Sequence, residues 1–187
     1  LWPLIAILDT IRWGVPTTAA GQSGYNWDST DTPFQATTGI LFSLGDFAYV
    51  NQPISDGTSI TSVDMQFQVG TFQAPATLSA TFLFNQSACS PPDPACDLVT
   101  ITNAFFNTPF ADNGVTYFFS LLGFSTNGGA TISNQFPTQE GQVNTAQLYA
   151  VITTTPVQPV PEPGSLLLLG SGVAAFALRR RRANSIC

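Results

Sequence analysis

The chain has 187 residues, of which 44% are hydrophobic and only 9% charged, with a net charge of −6. Plentiful Phe, Ile, Val and Leu exclude an intrinsically disordered chain despite the low charge. All basic residues except Arg12 lie after residue 178, and no lysine or histidine is present. Residues 1–159 set ten carboxylates against that one arginine, which excludes a nucleic-acid binder.

Leu1 to Leu8 is apolar, with no basic residue before it and no initiating methionine. Residues 1–10 are therefore read as a truncated N-terminal segment. The stretch reads either as a signal-peptide remnant or as a first strand. Residues 11–153 are expected to form one domain, long enough to bury a core of its own.

Trp13, Tyr25 and Trp27 sit in a polar, Gly-rich stretch and are candidates for a platform on which sugar rings stack. The plainer reading of aromatics in a β-protein is core. Gly39 to Val50 supplies a candidate strand. Val63, Met65, Phe67 and Val69 then alternate with Asp64, Gln66 and Gln68, and Leu78, Ala80, Phe82 and Phe84 repeat that period of two.

Cys89 and Cys96 enclose Ser-Pro-Pro-Asp-Pro-Ala, a short loop stiffened by proline. In an oxidising compartment this spacing reads as a local disulfide, contributing roughly 2.5 kcal/mol on the loop-closure model. Two thiols without any histidine make a poor zinc shell.

Asp97 to Phe106 is a further candidate strand. Tyr117, Phe119, Leu121 and then Leu122, Phe124 break the alternation once, which predicts a bulge or a change of face. Leu148, Ala150 and Ile152 lead a last strand. Turn residues punctuate these runs at Ser55-Asp56-Gly57-Thr58, Ser90-Pro91-Pro92-Asp93, Asp112-Asn113-Gly114 and Asn127-Gly128-Gly129. Short strands without a helical period predict an all-β fold, an antiparallel β-sandwich of jelly-roll or Ig-like type.

Candidate chemistry is sparse. Without histidine there is no Ser-His-Asp or Cys-His arrangement, and without lysine no Schiff base. A carboxylate pair for glycoside hydrolysis remains open, with Glu140 the one glutamate of the domain, but scattered acids bring some pair together by chance. Asp28, Asp31, Asp93, Asp97, Asp112 and Asn113 are expected in loops, where oxygen ligands hold calcium. Their spacing follows no EF-hand, and solvated turn formers are the simpler reading. No cofactor and no metal is implied, and the domain is read as not an enzyme.

Residues 154–163 form a proline-rich linker that ends in Val160, Pro161, Glu162 and Pro163. Residues 164–187 follow as one short transmembrane helix and a cytoplasmic tail. Ser165 to Leu178 is apolar, and its 14 residues span roughly 21 Å as a helix against a hydrocarbon core of about 30 Å. Arg179, Arg180, Arg181 and Arg182 end it as a cytoplasmic stop, since positive charge is retained on that side. So short a span suits a transient anchor in the inner membrane better than a permanent one.

Val-Pro-Glu-Pro, a Leu- and Gly-rich helix and an Arg cluster over Val160 to Arg182 resemble the PEP-CTERM sorting tail of exopolysaccharide-producing Gram-negative bacteria. The resemblance implies export and recognition by an exosortase, a membrane transpeptidase acting near Pro161, Glu162 and Pro163, which are substrate residues and not catalytic ones. Ala183 to Cys187 extend past the arginines, where that tail usually stops.

A second, weaker resemblance runs from about Ile11 to Ile152. Ile11-Arg12-Trp13-Gly14, Ser23-Gly24-Tyr25, Phe42-Ser43-Leu44-Gly45, Cys96-Asp97-Leu98-Val99 and Leu121-Leu122-Gly123-Phe124 look like the PEP-CTERM family named for a Thr-His-x-Asn motif. Glu140-Gly141 and Asn144-Thr145-Ala146 fit as well. The naming motif has diverged to Ala48-Tyr49-Val50-Asn51, which keeps only the asparagine.

Together these readings predict a non-enzymatic, exported surface or matrix protein associated with exopolysaccharide. A lectin-like module is the alternative, and a glycoside hydrolase a more distant one.

Overall fold

A computed structural model describes residues 4–6, 10–29, 36–70, 77–88, 96–104 and 107–157. The chain divides into two units after Val157, and every described residue belongs to the first. Val160 to Pro163, Ser165 to Leu178, Arg179 to Arg182 and Cys89 lie outside the described residues. No helix occurs among the described residues, so none there crosses a membrane as a helix.

The described strands are β1 Leu4–Ala6, β2 Thr10–Trp13, β3 Ser23–Ser29, β4 Phe42–Asn51, β5 Ser62–Gly70 and β6 Thr77–Ala88. They continue with β7 Cys96–Ile101, β8 Thr108–Asp112, β9 Val115–Ser125, β10 Gln135–Gln139 and β11 Gln142–Thr153. One sheet runs β1-β5-β6-β7-β10 and the other β2-β3-β4-β11-β9-β8. Every ladder is antiparallel. Of the segment read as signal remnant or first strand, Leu4–Ala6 pairs with Phe67–Val69 of β5.

Alternation places the core. In β5 Val63 and Met65 are buried while Asp64 is exposed, and in β10 Phe136 and Thr138 are buried between exposed neighbours. The inward residues of both sheets form one hydrophobic cluster, which makes the pair a sandwich. At its centre Phe47 of β4 stacks on Phe84 of β6 with centroids 5.7 Å apart, and meets Phe124 of β9 at 5.3 Å and Phe136 of β10 at 6.3 Å.

Two bulges adjust the long strands around β11. Tyr149 pairs with Gly123 but Ala150 with Leu121, so Leu122 is the extra residue, at the break in alternation that the sequence shows. Leu148 pairs with Gly45 but Tyr149 with Ser43, which makes Leu44 extra on β4. Gly45 takes φ 144° there, and a Cβ on it would lie 2.2 Å from the Asp28 carbonyl oxygen. Only glycine fits that approach. The β8–β9 hairpin turns on Asn113 and Gly114, with φ of 49° and 77°, the paired left-handed geometry that a two-residue hairpin loop requires.

The domain's end is fastened. The Asn107 side chain donates to the Val157 carbonyl at 2.9 Å and accepts from the Val157 amide at 2.6 Å, while Ser120 Oγ donates to Asn107 Oδ1 at 2.8 Å. The proline-rich stretch read as linker from residue 154 is thus still held to the sandwich at Val157.

Candidate functional site

The aromatic trio is not a surface platform. Trp13 (5% exposed), Tyr25 (4%) and Trp27 (5%) are all buried. Trp13 and Tyr25 meet edge to face at 80°, and Trp13 stacks on Tyr49 with centroids 5.8 Å apart. Tyr25 and Trp27 alternate with the less buried Asn26 and exposed Asp28 along β3, so period two turns both rings inward. Expectation of sugar stacking on Trp13, Tyr25 and Trp27 is therefore corrected: these rings are core.

The acids expected in calcium-binding loops are dispersed as well. Asp28 lies in β3, Asp97 near the start of β7 and Asp112 at the end of β8, while Asn113 forms the hairpin turn. Asp31 and Asp93 lie outside the described residues. Among the described residues no three of His, Cys, Asp and Glu come together to hold a metal ion.

The polar feature that the fold assembles centres on Asp97. Its Oδ2 accepts a hydrogen bond from Tyr49 OH at 3.0 Å and another from Gln86 Nε2 at 3.1 Å, and its backbone carbonyl accepts from Thr138 Oγ1 at 3.0 Å. Tyr49 belongs to β4 and Gln86 to β6, so a charge-assisted bond crosses between the two sheets. Beside it opens a cavity of about 260 Å³ lined by Tyr49, Asn51, Gln86, Asp97, Asp56 and Glu140, with serine hydroxyls around them. Asn51 is 3% exposed and its Nδ2 has no hydrogen-bond partner among the described residues; Gln86 Oε1 is likewise buried and unpartnered among them. Ser23 Oγ donates to the Gln52 carbonyl at 2.8 Å and accepts from the Gln52 amide at 3.0 Å, fixing the rim.

Burial, and then the negative charge of Asp97, push the Tyr25 and Tyr49 phenols well above their ordinary value. Both remain O–H donors throughout the physiological range. An unfolded phenol releases its proton near 10.0 while the folded one keeps it, so their contribution to stability is complete below that pH and is lost as pH rises beyond it. In a series of melts, this contribution holds the midpoint level to about pH 9 and lowers it above about pH 10. Tyr49→Phe is expected to cost about 2 kcal/mol at neutral pH, a fall of roughly 4–8 °C in Tm, and to flatten the alkaline decline.

A second hollow of about 270 Å³, with Asp46 the one carboxylate among its described lining residues, lies among Ser125, Thr126, Gly128, Thr145 and Gln147.

Residues 159–182 match the family model described as the PEP-CTERM protein-sorting motif. No curated protein matches the chain. The motif marks an exported chain, made as a membrane-anchored precursor and addressed to an exosortase.

Proposed function

We propose that the chain is a non-enzymatic component of the cell surface or extracellular polysaccharide matrix of a Gram-negative bacterium, delivered as an exosortase substrate. The match over residues 159–182 carries this reading. Val160, Pro161, Glu162 and Pro163 are the segment presented to the enzyme, Ser165 to Leu178 the transient span in the inner membrane, and Arg179 to Arg182 the stop that holds its end in the cytoplasm. The β-domain would then be left outside. Its similarity to the Thr-His-x-Asn group supports the same destination.

A Cys89–Cys96 disulfide belongs to this reading. Ala88 pairs with Asp97 in the β6–β7 ladder. Cys96 opens β7, Cys89 lies outside the described residues, and an exported domain meets the oxidising conditions that a disulfide needs.

The absence of histidine and lysine from the sequence supports a role without catalysis, since the commoner nucleophile–base pairs are missing. The test is the location and mass of the protein recovered from a host with and without the sorting enzyme. Surface protein shortened at its C-terminus only when the enzyme is present supports the reading; identical full-length protein in both hosts refutes it.

A further inference from the structure

The cavity beside Asp97 is furnished for a ligand. Among the described residues Asn51 Nδ2 is a buried donor without a partner, and Gln86 Oε1 a buried acceptor without one. Leaving such a group unpaired costs about 1–3 kcal/mol, and native structures retain it for a reason. Both residues line one cavity, together with Asp97, Asp56 and Glu140. Tyr49 and Gln86 already hold Asp97 Oδ2 in place, so the carboxylate is an oriented acceptor.

We propose that this cavity binds one polyhydroxylated ring, a sugar residue that is uncharged or carries an amine. A hydroxyl both donates and accepts, and so answers an amide donor and an amide acceptor in the same small space. The volume of about 260 Å³ is below that of a typical drug-sized pocket and suits a single ring. The charge of the lining sets the class further. Among the described residues three carboxylates and no cation line the cavity, so a sugar acid or phosphate is repelled and an ammonium group is attracted. The donor Asn51 Nδ2 distinguishes this arrangement from a calcium site, which asks for oxygen ligands throughout. A lectin-like capacity is thus moved from the buried rings of Trp13 and Tyr25 to the polar opening beside them.

Recognition at this cavity goes beyond delivery, and its test on purified full-length protein in detergent is independent of processing at the tail. Calorimetric or saturation-transfer NMR titrations with glucosamine, glucose and glucuronate are expected to give saturable binding that is tightest for glucosamine, weaker for glucose and undetectable for glucuronate. Asn51→Leu is expected to weaken the first two at least tenfold without lowering Tm, because it removes a polar group that has no partner in the free protein. Glu140→Gln, at an exposed position, is expected to narrow the preference for glucosamine over glucose. No saturable binding of any of the three, glucuronate bound as tightly as glucose, or undiminished binding by a folded Asn51→Leu protein overturns the proposal. Saturable binding of calcium alone with no sugar binding overturns it too.

Discussion

Replacing Pro161, Glu162 and Pro163 by alanine is expected to leave the full-length protein in the inner membrane of a host that carries the sorting enzyme. The apolar run Ser165 to Leu178 and the arginines Arg179 to Arg182 remain, so on the proposed reading insertion and orientation are unchanged. What is removed is the proline-flanked segment at which the proposed reading puts processing. Proline restricts φ to near −65°, so a Pro-x-Pro sequence has little conformational entropy to lose when an enzyme takes it up. Alanines in the same places carry no such restriction and give the enzyme no such element. The processed fraction should fall from nearly all to nearly none, read by immunoblot of membrane and surface fractions. Unchanged processing and release would count decisively against the assignment of the tail.

The second large effect is at the centre of the sandwich. Phe47 is fully buried and touches rings from both sheets, Phe84 and Phe136 on one side and Tyr25 and Phe124 on its own. Phe47→Ala opens a cavity that neighbouring rings fill only in part, at a cost of about 3–5 kcal/mol. Against a typical domain stability of about 5–15 kcal/mol, this is a third or more of the total. Urea unfolding followed by tryptophan fluorescence should show it, with a Tm lower by roughly 10 °C. A loss below about 1 kcal/mol would mean that the two sheets do not share this core.

The parts of the fold that could be read from the sequence are those in which one face is consistently apolar. Val63 and Met65 announce β5, and the Leu121-Leu122 break announces the bulge on β9. The strands that escaped have identifiable reasons. Pro109 interrupts β8 and Pro137 interrupts β10, and a proline argues against a strand in the middle of a sheet. Both strands are in fact outermost in their sheets, where a missing ladder donor is tolerated. In β3 the alternation of Tyr25 and Trp27 with Asn26 and Asp28 was present, but the surrounding Gly, Ser and Asn suggested a loop.

The candidate site was less legible, because it depends on pairing across the fold. Asp97, Gln86 and Tyr49 come from three strands in two sheets, and nothing local links them. The nearest signal is Ala48-Tyr49-Val50-Asn51, which in the sequence reads only as a diverged motif. Positions 49 and 51 lie two apart on β4, so the pleat turns both toward the same face and both reach the cavity. The sequence also offers Asp97 as a loop ligand; its place near the start of β7 makes it an inter-sheet hydrogen-bond acceptor instead.

Delivery rests on residues 159–182, while the Asp97 cavity belongs to the domain that is delivered. The most direct measurement of the central claim is the intact mass of the protein recovered from the cell surface of a host that carries an exosortase. The account predicts a chain lacking Ser165 to Cys187, ending at or near Pro161, Glu162 and Pro163, and present as the longer form only in the inner membrane. A surface protein whose mass includes every residue through Cys187 would contradict it.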